Sequence, residues 1–143
     1  MGTLSYHYNG RKEIIRDATV FARKRFFWRF RTALEQSSTE DDLSVVLAEV
    51  VEHITCNCYA EMVVDYDFFL TGLDDPDTRE ISIAWSQDTR SMLREHMPAI
   101  QADTINLVLE GVFLHSVKIG RKYPVRDIKL SFATILDQTT QAN

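Results

Sequence analysis

The sequence predicts an all-α fold of about six helices, and three observations lead there. Turn and helix breakers are scarce: 143 residues carry only 5 Gly and 3 Pro, whereas a strand-rich chain needs frequent turn residues. Apolar side chains recur at steps of three and four through most of the length, the period that lines them along one helix face. The balance of 45% hydrophobic and 26% charged residues is that of a globular chain, and this length gives one domain with a core of ordinary size.

Met1 to Tyr8 reads as the tail of a short helix, closed by an Asn9-Gly10 turn, because both turn residues tolerate positive φ. Arg11 to about Gln36 follows as one long helix. Its stripe is Ile15, Thr19, Ala22, Phe26, Phe30 and Ala33, widened by Val20, Phe27 and Leu34, with Phe21 and Trp28 on a neighbouring arc. That is more aromatic surface than one helix contact uses, so this helix is expected to pack on several others or on a ligand. Ser37 to Asp42 is a break, with Ser38 or Thr39 as the cap of the next helix and acids in its first turn.

The next helix runs to about Thr55 on Leu43, Val46, Leu47, Val50, Val51 and Ile54. Being rich in β-branched residues, it depends on packing more than on propensity. Tyr59 to Leu73 carries Met62, Tyr66, Phe69 and Leu70 at helical spacing and stops before Pro76, since a residue preceding proline resists the helical region. Pro76 suits the opening of a helix. That helix, Asp77 to about Met97, sets Ile81, Ala84, Trp85, Met92 and Leu93 on one side and ends at Pro98. Ala99 to Ile119 is the most apolar. Gly111 sits in its middle, where glycine costs about 1 kcal/mol relative to alanine and so points to close approach of another backbone. Gly120 closes it, and Val125 to about Gln138 is the last helix before a polar tail.

The net charge of −5 is unevenly spread: residues 1–36 hold 8 Lys and Arg against 3 Asp and Glu, and the remainder 8 against 18. A basic end on an acidic body fits a protein that touches nucleic acid at one pole. The alternative is that Arg23, Lys24, Arg25, Arg29 and Arg31 form a solvated helix face. Arg11 and Lys12 open a helix at the end where its dipole prefers acids, which makes sense if they face a phosphodiester. No apolar run approaches the ~20 residues of a membrane span, and no signal pattern opens the chain. Cys56 and Cys58 are too few for a disulfide framework, so a cytoplasmic location is expected.

Few residues propose chemistry. His53 and Cys56 share a helical face and could hold two corners of a metal site, but Cys58 would point elsewhere and no second pair completes a tetrahedron. Glu49 and Glu52 with His53 lack the Glu-x-x-His spacing of helical carboxylate sites. A Gly-x-Ser-x-Gly elbow, a phosphate-cradling glycine loop and a His-Glu-x-x-His pair are all missing. No enzymatic role, cofactor or metal is therefore expected. Trp28, His53, Tyr66, Phe69, Trp85 and Phe113 come from five predicted helices. Converging, they would line a mostly apolar cavity with a few orienting polar tips; otherwise they are ordinary core aromatics.

Gly2-Thr3-Leu4-Ser5-Tyr6-His7-Tyr8, followed by Arg11-Lys12-Glu13-Ile14-Ile15, resembles the end of the recognition helix and the start of the fourth helix in TetR-family transcriptional regulators. The stretch Leu107-Val108-Leu109-Glu110-Gly111-Val112-Phe113-Leu114, with Gly120 and a basic loop after it, resembles their penultimate helix. The two stretches bracket the chain; similarity through the middle is weak.

This resemblance implies a TetR-like ligand-binding and dimerisation bundle over residues 11–143, with residues 1–10 a remnant of the helix-turn-helix head. The first two helices of that head would be missing, so the chain is expected to be N-terminally truncated. The implied function is a ligand-responsive transcriptional regulator, a repressor, acting as a cytoplasmic homodimer on a small apolar or aromatic effector. Operator DNA would be bound only if the missing helices are present. Thr3, Tyr6 and His7 would belong to the recognition helix, and Arg11 and Lys12 to phosphate contacts. Ser5 stands where the family has a phosphate-contacting Tyr, so that contact passes to Tyr6 or is lost. The last two helices would make an isologous four-helix interface centred on Ile105, Leu109, Val112, Phe132 and Ile135. Two other readings stay open: a sensor or dimerisation fragment without DNA binding, and an unrelated helical interaction module.

Overall fold

The computed structural model describes residues 10–37 and 42–137. Thr3, Tyr6 and His7, and the caps expected at Ser38 or Thr39, lie outside the described residues. Within them the fold is all-α. Its elements are α1 (Arg11–Gln36), α2 (Leu43–Glu52), a π-helical turn (His53–Asn57), α3 (Tyr59–Gly72), α4 (Pro76–Arg94), α5 (Ala99–Ile119) and α6 (Val125–Asp137). No helix among the described residues is long and apolar enough to cross a membrane.

Local chemistry sets the helix ends. The Asp42 carboxylate accepts from the Ser44 N–H at 2.9 Å and caps α2. Asp75 does the same for α4 through the Thr78 N–H at 3.1 Å, with Pro76 in the first turn, where a missing N–H costs nothing. Gly120 adopts φ 70°, and its N–H closes α5 on the Ser116 carbonyl at 2.9 Å. The junction of α2 and α3 departs from the predicted simple helix end. The Cys58 N–H bonds the His53 carbonyl at 3.0 Å, a five-residue step that widens the helix by one residue. Neighbours hold this turn in place. Thr55 Oγ1 accepts from the Tyr123 N–H at 3.0 Å, and the Glu52 carboxylate accepts from the Val125 N–H at 2.7 Å, so the turn anchors the start of α6.

The core gathers Phe30 and Leu34 of α1, Leu47 and Val51 of α2, Leu93 of α4, Ile105 and Leu109 of α5, and Phe132 of α6. Helix α2 is buried on most of its circumference and packs on α6, with α1 and α5 also against it. Helix α1 lies across α3 and α4, and α5 reaches α3, α4 and α6.

Gly72 sits in a crowded helix contact. A Cβ there would stand 2.3 Å from Thr78 Cγ2 and 3.0 Å from Ile15 Cγ2, so α1, α3 and the start of α4 meet where only hydrogen fits. Gly111, expected to serve such a contact, meets nothing within 4 Å and is exposed.

Two further expectations are corrected. The arginine row of α1 is not a simple solvated face: most of it is paired with carboxylates of the chain, while Lys24 is exposed. Arg23 bonds Asp88, Arg25 bridges Glu61 (2.8 Å) and Asp65 (2.5 Å), Arg29 bonds Glu61 (2.5 Å), and Arg31 lies near Glu35 and Glu95. The acidic faces of α3 and α4 take up these cations because α1 lies across both helices. The proposed centre of a subunit interface is also misplaced. Ile105, Leu109 and Phe132 are fully buried within the chain's own core, and Val112 and Ile135 pack half-buried against it. The richest apolar stripe of α5 was already needed to close a single chain.

Candidate ligand cavity

A cavity of about 250 Å³ opens between α1, α3, α4 and α5, just below the usual range for small-molecule sites and so fitted to a small ligand. Its α1 wall comes from one helix face, Ala22, Arg25, Phe26 and Arg29, spaced by three and four. Phe26 is the central ring. Its centroid stands 5.5 Å from that of Trp85 and 6.0 Å from that of Phe113, and behind it Phe30 stacks at 5.6 Å. Tyr66 and Phe69 of α3 meet edge to face at 6.1 Å on another wall, with Met62 and Leu109 in the lining between helices.

Two polar groups interrupt this surface. On the α1–α3 side stand Arg25, Arg29, Glu61 and Asp65, tied together by the ion pairs above. The bond to Glu61 holds the Arg29 guanidinium above its ordinary pKa. Burial pushes the Asp65 carboxyl up, and Arg25 pulls only partly against it. On the α4–α5 side Ser86 Oγ donates to Glu110 Oε1 at 2.7 Å, and the Asn106 amide donates to Ser86 Oγ at 3.0 Å and to the same carboxylate oxygen at 3.2 Å. Asn106, Glu110 and Phe113 share one face of α5 at the i, i+4, i+7 spacing. The Tyr66 phenol is raised far above its usual value, first by burial and then by the nearby Glu110 charge.

Of the six residues picked from sequence for a pocket, Tyr66, Phe69, Trp85 and Phe113 line this cavity. Trp28 and His53 do not. Trp28 follows Phe26 by two residues, about 200° around a helix, so it faces outward and is 68% exposed. His53 is exposed on the far side of the π-helical turn. It borders a second cleft of about 460 Å³ with Asp42, Glu49 and Gln36, a surface groove lined by mixed polar and apolar groups. The added residue of that turn also changes the partner of His53: its Nε2 lies 3.5 Å from Cys58 Sγ, not beside Cys56. Among the described residues no three His, Cys, Asp or Glu side chains converge to hold a metal ion.

Phe26 and the Ser86–Asn106–Glu110 set were not picked from sequence. The stripe Ala22, Phe26, Phe30 carried the signal for the first, and the spacing of Asn106, Glu110 and Phe113 for part of the second. At the amino end of α1, Arg11 is exposed, and Lys12 sits 3.7 Å from the Asp75 carboxylate that caps α4.

These features describe an all-helical body with a lateral cavity mostly lined by aromatic and aliphatic side chains. Comparison with protein-family models, characterised proteins and solved structures yields no match.

Proposed function

We propose that the chain is the effector-sensing and dimerisation body of a TetR-type transcriptional regulator, with a small apolar or aromatic molecule as effector. The observation that carries this reading is the double duty of α1. One face, Ala22 to Arg29, forms a cavity wall, while its amino end presents Arg11 and Lys12, where the resemblance puts phosphate contacts. A ligand against Phe26 acts on the same rigid rod that would carry the reading head, which is the mechanical link a ligand-responsive regulator needs.

The homodimer belongs to the same proposal, with its contact moved to the outward face of α5. Ile100 (74% exposed) and Leu107 (69% exposed) stand there with Leu114, and Gly111 lies between the two leucines with open space where a Cβ would be. Leu130 of α6 is a further exposed apolar side chain. Two α5 helices crossing at Gly111 could approach closely, which supplies a use for the glycine that the single chain does not. Sedimentation is the test: the chain should run at twice its mass, and Leu107→Glu, which puts a charge into the contact, should run as a monomer. A wild-type monomer at tens of micromolar removes the regulator reading.

A second reading has one observation in its favour. Because Arg23, Arg25 and Arg29 are occupied by carboxylates of the body, the middle of α1 presents few cations to DNA. A sensor and dimerisation body without its own DNA binding accounts for that. Gel-shift titration at two salt concentrations separates the two readings, since phosphate contacts weaken steeply with salt.

A further inference from the structure

The charges around the cavity do not cancel. Arg25, Arg29, Glu61 and Asp65 form a closed set, each cation touching a carboxylate at 2.5–2.8 Å. Glu110 is the fifth charged side chain in the lining and has no cation in contact. Its Oε1 is held by two neutral donors, Ser86 and Asn106. The neighbouring Arg90 guanidinium is committed to Asp103 at 2.9 and 3.0 Å. The second carboxylate oxygen, Oε2, accepts from no described residue. Glu110 is exposed at the edge of the cavity, whose lining also holds Phe113, three residues along the same helix face, Trp85, next to Ser86 in sequence, and Tyr66, whose phenol feels the Glu110 charge.

A negative charge with one free acceptor, at the edge of a cavity lined by aromatic rings, complements a cation joined to a flat apolar body. The rings attract cationic charge through their quadrupoles, and the carboxylate provides a charge-assisted hydrogen bond. An anion would meet Glu110 with nothing to offset it, because both nearby arginines are already paired. We infer that the cavity selects a monocationic aromatic amine, with Glu110 as the headgroup acceptor and Ser86 and Asn106 as the residues that position it. This rests on the cavity being the effector site and names the chemistry it takes.

An isosteric series tests the inference by calorimetry on the full chain: 1-naphthylmethylamine, 1-naphthylmethanol and 1-naphthoate, which share a ring and differ in headgroup charge. The amine should bind about tenfold more tightly than the alcohol, and the acid more weakly than either. Glu110→Gln, an isosteric change at an exposed side chain, should abolish the preference for the amine over the alcohol. Equal binding of amine and alcohol to the wild-type chain, or a preference that survives Glu110→Gln, overturns the headgroup assignment while leaving the cavity as a site. If none of the three binds, the cavity reading and the inference fall together.

Discussion

At single positions the two helical glycines are opposites, and alanine at each separates them. Gly72→Ala drives a methyl into Thr78, whose hydroxyl is fixed at 3.1 Å on the Asp75 cap and cannot swing aside. The expected loss is roughly 1–3 kcal/mol in urea unfolding, the usual cost of overpacking. Gly111→Ala meets nothing and should gain about 1 kcal/mol of helix propensity, measured in the Leu107→Glu background so that subunit contact does not enter. Asp65 gives a pH-dependent expectation. Its folded-state pKa is raised from 3.8, chiefly by burial, so the folded chain binds this proton more readily than the unfolded chain. Its contribution to stability therefore falls as pH rises through the interval above 3.8. Asp65→Asn removes that fall, so melting temperature should climb more steeply with pH in the variant than in the parent. Parallel curves would show that the Arg25 pair fully offsets the burial.

At the level of elements, what was legible in the sequence is what short-range chemistry decides. Pro76, Pro98 and Gly120 punctuate the chain, and helix ends fall within a few residues of them. The faces were harder. Helix α1 carries Phe21, Phe26, Phe27, Trp28 and Phe30 around its whole circumference, so spacing alone does not say which ring turns inward. Choosing rings with polar tips picked Trp28 and passed over Phe26. The ion pairs were illegible for a related reason: an arginine row facing acidic helices reads the same in one dimension as a row facing solvent. The π-helical turn has no signal in periodicity, because its fifth-residue step is set by tertiary partners. Thr55→Val tests that dependence. It removes the acceptor of the buried Tyr123 N–H while nearly conserving side-chain shape, and should cost about 1–3 kcal/mol. Hydrogen exchange at Tyr123 should accelerate in the same variant. Unchanged protection there would mean the turn holds itself.

On the scale of the molecule, the cavity and the outward face of α5 lie on adjoining faces of one helix, with Leu114 at their border. Leu109 and Phe113 line the ligand space, Leu114 stands at its edge, and Leu107 and Gly111 lie outside its lining. If the outward face is the subunit contact, a ligand is bounded by a helix fixed against a second copy and by α1, which would carry the head. Movement should therefore appear in α1. From Phe26 to Arg11 the helix extends about 22 Å at its standard rise, so a tilt of only 5° displaces the amino end by about 2 Å. That is enough to alter the spacing of two DNA-reading heads held one helical turn apart. Spin labels on a cysteine replacing Arg11, with Cys56 and Cys58 changed to serine, should report two α1 ends whose mean separation shifts by a few ångströms, roughly twice that displacement, on saturation with 1-naphthylmethylamine. Phe26→Ala should abolish the shift, because the amine then has no ring of α1 to push. A separation identical with and without bound amine would leave the cavity as a binding site but disconnect it from any head, and the lever on which the regulator reading depends would be gone.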